Sequence, residues 1–225
     1  MRSLAALASA VIVGTLGCST PQTALAPAHA DQATPLPNWP VQPGWKSETI
    51  PFPLGFAPSI ELQGAEALRF APDFYTKDAP GYFTYAFVWT AQFPTFPVST
   101  DWLSEQLRAY FDGLCVAVSD SGAQTCAANP TQVAVGVATA TPFAALAQVP
   151  ANVVNVQTFD AFKANQPVQL TGTVVLARCG SQLVVAVTLA PSVSGGGLQA
   201  ALASQAHAFA APSQRCTAAV APSAP

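Results

Sequence analysis

The chain has 225 residues, of which 51% are hydrophobic and only 8% are Asp, Glu, Lys or Arg, whereas a soluble domain usually carries about 25% charged residues. A disordered chain and a charged coiled coil both need many more charges, so the composition excludes both classes. With 8 basic against 11 acidic residues, the protein has no basic surface to neutralise phosphates, and we expect no nucleic acid partner. The length predicts one domain.

The first 18 residues have the layout of a secretory signal. One positive charge at Arg2 precedes the uncharged, mostly apolar run 4–16, which is shorter than the roughly 20 residues that a transmembrane helix needs. The run ends in Gly17-Cys18 and resembles the lipobox of bacterial lipoproteins, in which the cysteine becomes the lipidated first residue. Ala28-His29-Ala30 is an alternative cleavage motif, which would give a secreted or periplasmic protein without the lipid.

The cysteine count agrees with export under either cleavage. Once Cys18 is lipidated or removed, four cysteines remain, and an even number can pair fully in an oxidising compartment. The sequence allows three connectivities, of which the simplest pairs Cys115 with Cys126 and Cys179 with Cys216. We therefore predict two disulfides.

Segments rich in Pro and Ala flank the predicted domain. Residues 19–44 have a composition that cannot bury a core, which indicates an extended tether. Residues 217–225 are similar and are predicted to be a disordered tail. The folded domain is therefore predicted at 45–216.

The residue after Cys18 bears on the location of the protein. Because Ser19 follows Cys18, the sequence resembles lipoproteins sorted to the outer membrane, facing the periplasm or the cell surface.

The first half of the domain predicts three strands and a helix. The strand segments are 47–57, where prolines require an edge or irregular strand, then 65–70 and 82–91. The helix begins after Ser99 or Thr100, either of which can cap it, and apolar residues recur at helical spacing to about residue 112. Gly113 then suits the end of the helix.

The second half predicts further strands and a final helix. The strand segments are 133–139, 153–162, 168–176 and 183–189, and the turn Cys179-Gly180-Ser181 joins the last two as a hairpin. The final helix covers 198–209, after a flexible joint of three glycines. Neighbouring strands with few crossover helices favour an α+β fold, a mostly antiparallel sheet with two helices on one side.

Four motifs carry a family resemblance: Ile50–Pro58 (IPFPLGFAP), Leu68–Pro72 (LRFAP), Tyr85–Trp89 (YAFVW) and Tyr110–Cys115 (YFDGLC). Together they resemble a family of uncharacterised exported bacterial proteins, over about residues 45–216. This resemblance implies no catalytic residue. The order of sheet and terminal helix is also similar to that of PsbP-like envelope domains, and a shared topology does not determine function.

The sequence lacks the common catalytic motifs. His29 and His207 are the only histidines, and the spacing of His207 from Ser204 on one helix suits a nucleophile–base pair poorly. No Cys-x-x-Cys motif is present, so we expect neither a metal site nor a cofactor. The sequence therefore favours a non-catalytic protein.

Two groups of residues are candidates for binding. The first shares one face of the strand at 82–91 and forms either core beneath a helix or a groove for an apolar ligand or peptide: Phe83, Tyr85, Phe87 and Trp89. The second is a possible polar site: Glu66, Arg69, Asp160 and Arg178.

We therefore predict an exported cell-envelope lipoprotein, held at the membrane by its lipid anchor, that binds a partner protein or a small apolar ligand. One alternative is an exported hydrolase that uses carboxylates, with Glu66 and Asp160 as its acids. The other alternative is a purely structural protein of the outer membrane.

Overall fold

The computed structural model describes residues 38–92, 97–119, 123–137, 140–192, 196–211 and 215–220. In these ranges the chain forms one α+β domain dominated by an antiparallel sheet of eight strands. None of the described helices is long and apolar enough to cross a membrane. The signal, the lipidation at Cys18, the cleavage site at Ala30 and most of the tether lie outside the described residues.

The strands in chain order are β1 (Lys46–Pro51), β2 (Gln63–Phe70), β3 (Tyr85–Gln92), β4 (Gln132–Val137), β5 (Ala151–Asp160), β6 (Gln166–Cys179), β7 (Gln182–Pro191) and β8 (Cys216–Ala218). Across the sheet the order is β1-β2-β3-β7-β6-β5-β4, and β8 pairs with the end of β6. The proline-rich first segment is an edge strand, as predicted, and β6 and β7 form the predicted hairpin.

The helices are α1 (Thr100–Val118), α2 (Ala123–Ala128) and α3 (Gly196–His207), with a 3-10 helix at Ala144–Leu146. Ser99 caps α1 as predicted, because its side-chain oxygen accepts a hydrogen bond from the amide of Trp102 at 3.0 Å. The sequence did not predict α2, which is only six residues long.

Gly113 does not end α1, contrary to the prediction. The helix continues to Val118, and Gly113 lies where the helix passes the loop after β1. A Cβ atom at this position would lie only 2.1 Å from the carbonyl oxygen of Phe56. The glycine is therefore required by a close approach of two backbones rather than by a helix end.

The main helices cover opposite faces of the sheet, which corrects the expectation that both lie on one side. On the face that we call the α1 face, Leu103 and Leu107 pack with apolar side chains from β2, β3 and β5–β7. On the opposite face, the α3 face, Leu202 packs against small residues such as Ala86 and Ala186. Because both faces are covered at the centre, β3 and β7 are buried almost throughout and their sequences are apolar with little alternation.

The ordered chain extends beyond both predicted ends. Trp39, within the predicted tether, is buried on the α3 face and donates its indole N–H to the carbonyl oxygen of Gln205 at 2.8 Å. At the other end, residues 217–218 belong to β8, and Val220 forms a bridge with Val98. The prediction of a disordered tail from residue 217 is therefore wrong as far as Val220.

Both disulfides join the predicted partners. Cys115–Cys126 links α1 to α2 across 11 residues of sequence. Cys179–Cys216 links paired positions of β6 and β8 across 37 residues of sequence. Cys216 lies in the last strand and not at the end of α3, so this disulfide fastens β8 to the sheet.

Candidate functional site: a cavity beside Tyr82 and Asp160

The aromatic residues of the candidate groove are part of the core. Phe83, Tyr85, Phe87 and Trp89 are each at most 2% exposed. The ring of Tyr110 in α1 stacks over Phe87, with ring centroids 5.4 Å apart. Of the two alternatives for these residues, core is therefore confirmed and a ligand groove is wrong, because α1 and neighbouring aromatic residues such as Phe74 cover them.

Glu66 and Arg69 of the candidate polar site lie on opposite faces of the sheet, because they are an odd number of residues apart on β2. Glu66 points to the α1 face, where Trp89 is its hydrogen-bond partner. Arg69 lies on the α3 face, stacks on the ring of Trp39 at 4.7 Å and donates to the Trp39 carbonyl oxygen. These two side chains do not meet.

Asp160 and Arg178 are also far apart. Asp160 pairs with Gln166 at the start of β6, whereas Arg178 lies near the end of that strand and donates to the carbonyl oxygen of Gly180. The intervening length of β6 is about 40 Å at roughly 3.3 Å per residue. The prediction of one polar site built from Glu66, Arg69, Asp160 and Arg178 is therefore wrong.

The proposed pair of catalytic acids is not formed either. Three strands, β3, β7 and β6, lie between β2, which holds Glu66, and β5, which holds Asp160. The four spacings between neighbouring strands, roughly 4.8 Å each, separate the two acids by about 19 Å. The two carboxylates of a glycosidase lie no more than about 10 Å apart. The geometry gives this pair no support as a hydrolase centre.

Asp160 is buried at the end of β5, and no Lys, Arg or His in the described part of the chain forms an ion pair with it. It is 1% exposed, and the hydroxyl of Tyr82 donates a hydrogen bond to its Oδ2 atom. The backbone amides of Phe162 and Lys163 donate to Oδ1 at 3.0 and 3.3 Å. Hydrogen bonds of this charge-assisted kind stabilise a carboxylate in place of an ion pair.

A cavity of about 590 Å³ opens beside Tyr82 and Asp160. Its size lies within the roughly 300–1,000 Å³ of small-molecule sites. The polar or charged lining residues are Lys77, Asp78, Tyr82, Asp160 and Gln166, and the apolar ones are Ala79, Pro80, Ala164, Val168 and Pro191. Half of the ten lining residues are thus apolar and half are polar or charged, so the cavity can contact both the hydrocarbon part and the polar groups of a small molecule.

Tyr82 keeps its proton in this setting. Its partial burial raises the pKa of the hydroxyl above the ordinary value, the hydrogen bond and charge of Asp160 raise it further, and a backbone hydrogen bond with Ala164 opposes this rise. The protonated hydroxyl donates to Asp160, and its oxygen can also accept, which it does in the backbone hydrogen bond with Ala164. Because the Tyr82 hydroxyl donates to the Asp160 carboxylate, its oxygen becomes a stronger acceptor for a hydrogen-bond donor of a ligand in the cavity.

The two loops that build the cavity hold strained backbone. Among the described residues other than glycine, four have positive φ: Asp73, Asp78, Phe83 and Asn165. All of them lie in the loop between β2 and β3 or in the loop between β5 and β6. Such conformations cost on the order of 1–3 kcal/mol each and cluster at binding sites. Neither Tyr82, which the sequence pattern assigned to the strand at 82–91 and which in fact precedes β3, nor Lys77 was predicted as a site residue. Lys77 lies in the segment PDFYTKDAPG, which is typical of a surface loop, where binding residues are frequent.

A second buried acid lies beneath α1. Glu66 is fully buried and accepts the indole N–H of Trp89 at 3.0 Å. Burial raises the pKa of its carboxyl to about 8, the hydrogen bonds of Trp89 and Tyr110 oppose that rise, and the charge of Glu48 adds to it. Glu66 is therefore largely protonated at neutral pH, but it has no access to solvent and cannot contact a ligand.

The described residues hold no group of three or more His, Cys, Asp or Glu side chains that could bind a metal ion. Comparisons with protein families, curated proteins and solved structures find no match for the chain. The resemblance to exported bacterial proteins and to PsbP-like domains stays a prediction, and the candidate site depends on its geometry.

Proposed function

We propose that the protein is an exported, non-catalytic binding protein of the cell envelope, and that it holds a small, mainly apolar ligand in the cavity beside Tyr82 and Asp160. The observation that carries this proposal is Tyr82, a residue that lines the cavity and whose hydroxyl donates to a buried carboxylate. The strained loops on both sides of the cavity add support.

The charges around the cavity favour one kind of ligand. Lys77 lies 3.8 Å from Asp78, so these two side chains offset each other, while Asp160 adds one negative charge. Val168, Pro191 and the other apolar lining residues suit a hydrocarbon body. A ligand with an apolar body and an ammonium or hydroxyl donor therefore fits better than one with a carboxylate.

The two disulfides are typical of proteins that mature in an oxidising compartment, which agrees with export. We further propose that Cys18 carries a lipid and anchors the domain to the membrane. Metabolic labelling with a fatty acid should mark the wild type and leave a Cys18→Ser variant unlabelled. An unlabelled wild-type protein would contradict the proposal of a lipid anchor at Cys18 and would not bear on the proposal that the cavity binds a ligand.

Titration calorimetry with three related probes tests the binding site. We expect cyclohexanemethylamine and cyclohexanemethanol to bind more tightly than cyclohexanecarboxylate. Tyr82→Phe removes the acceptor oxygen and should weaken the amine by up to about tenfold, as expected for one hydrogen bond. Tyr75→Phe, at a residue that is 44% exposed and does not line the cavity, should leave the affinity unchanged. Equal affinities for all three probes, or no effect of Tyr82→Phe, would contradict the proposal.

A further inference from the structure

The two edges of the sheet differ in their protection against strand addition. β1 carries Lys46 and Glu48 and ends at Pro51, and charges and prolines are the features by which natural sheets prevent other strands from pairing with an edge. β4 has the sequence QVAVGV, with no charge and no proline. Within the described residues, no strand pairs with its outer side.

The exposed edge of β4 is held firmly in place. The Cys115–Cys126 disulfide ties α2, which directly precedes β4, to α1. At the start of the strand, Asp112 accepts the amide of Thr131 at 2.8 Å, and the hydroxyl of Thr131 bonds that of Thr158 at 3.0 Å. A preorganised edge loses little conformational entropy when another strand pairs with it.

We propose that β4 pairs with β4 of a second copy of this chain, in antiparallel orientation, so that the two sheets become continuous. A strand that pairs with the edge of β4 should have apolar side chains on the same face of the sheet as β4. It should also carry no charge that the pairing would bury without a partner. β4 itself meets both conditions, because it is uncharged. A two-fold axis normal to the sheet puts Val133 and Val135 of both copies on the α1 face and the exposed Ala134 and Gly136 on the other.

The sequence of the tether makes it a poor occupant of this edge. Residues 19–37 contain four prolines, and each proline lacks the N–H that a ladder of backbone hydrogen bonds needs. The longest stretch between them, 28–34, has only small or polar residues and carries the charged Asp31, which would lie unpaired against uncharged β4. The edge of β1 is excluded as a partner for β4 because it would bring Lys46 and Glu48 against an uncharged strand. A second copy of β4 therefore fits best.

The test is the oligomeric state of the purified, oxidised full chain, measured by sedimentation equilibrium over a range of micromolar concentrations. We expect a monomer–dimer equilibrium for the wild type. Ala134→Lys with Gly136→Lys puts like charges opposite one another across the two-fold axis and should give a monomer. The matched control, Ser47→Lys with Thr49→Lys on the exposed β1 edge, adds the same charge and should dimerise like the wild type.

A charge-reversed variant keeps the test informative if the lysine variant is poorly folded alone. Ala134→Glu with Gly136→Glu should be monomeric, and an equal mixture with the lysine variant should restore the dimer. A wild type that is monomeric throughout, a lysine variant of β4 that still dimerises, or loss of the dimer in the β1 control would overturn the proposal. Failure of the mixture to dimerise would overturn it as well.

Discussion

Trp89 donates its indole N–H to the Oε1 atom of Glu66 at 3.0 Å, across directly paired positions of β3 and β2. Both side chains are 0% exposed, and Tyr110 of α1 lies beside them. A carboxyl group in such a place stays neutral over much of the physiological range, because ionisation would put a charge in the core. The sheet and α1 are thus packed around an acid whose charge state affects folding.

Replacing Glu66 by Gln should remove a pH dependence of stability. In the unfolded chain the carboxyl has a pKa of 4.5, and in the folded protein its pKa is about 8. Between these values the folded state holds a proton that the unfolded state has lost, so the free energy of unfolding falls as pH rises. Urea unfolding of the wild type should show a fall of roughly 1 kcal/mol per pH unit over this window, which Glu66→Gln should abolish.

The matched control is Glu48→Gln on β1, an exposed residue whose charge only adds to the effect on Glu66. This variant should keep most of the wild-type pH dependence. If the wild type and Glu66→Gln have parallel stability profiles between pH 5 and about 8, Glu66 does not titrate as the structure implies.

Gly113→Ala should destabilise the protein although it lies inside a helix. Alanine normally favours a helix over glycine by up to about 1 kcal/mol, but the new Cβ would lie 2.1 Å from the Phe56 carbonyl oxygen. We expect a net loss of about 1–3 kcal/mol in the free energy of unfolding. Gly197→Ala in α3, where no atom outside the local helix backbone lies within 4 Å of the new Cβ, should be neutral or slightly stabilising. The same sign for both variants in chemical denaturation would refute the close approach.

Removing the two disulfides should have unequal effects. Cys179–Cys216 closes 37 residues and Cys115–Cys126 closes 11, and the entropy lost by the unfolded chain grows with loop length. Replacing each pair by alanines should cost about 4 kcal/mol for the longer loop and about 3 kcal/mol for the shorter one. Thermal and urea unfolding of the two double variants would check the order, and a larger loss from the shorter loop would contradict it.

Local patterns in the sequence predicted most of the elements. Ser99 at the start of α1, the hairpin around Gly180 and the pairing of both disulfides follow from capping, turn and spacing rules that act over short distances. Gly113 shows where such rules fail, because its helix continues for a reason located in the distant loop at Phe56. The same limit applies to α3, since periodicity does not tell which face of the sheet a helix covers.

The candidate site was harder to predict than the fold. Phe83 and Trp89 belong to a run of aromatic residues on one strand face, a pattern that fits either core or an apolar groove, and in the structure they are core. The cavity instead joins Tyr82 to Asp160, residues 78 positions apart in sequence. Only the folded sheet brings the loop before β3 close to the end of β5. The sequence indicated Asp160 as a possible polar-site residue, but no local pattern pairs it with Tyr82.

The most direct measurement is to map the binding of cyclohexanemethylamine by NMR in the ¹⁵N-labelled protein, with a variant that fills the cavity. If the ligand binds in the cavity, the amide signals of Ala164, Gln166 and Val168 should shift on addition of the ligand. Ala164→Trp, which fills the cavity, should abolish these shifts. The control Ala127→Trp, at an exposed position of α2, should leave them in place. Shifts that centre elsewhere, or that persist in Ala164→Trp, would contradict a ligand site beside Tyr82 and Asp160.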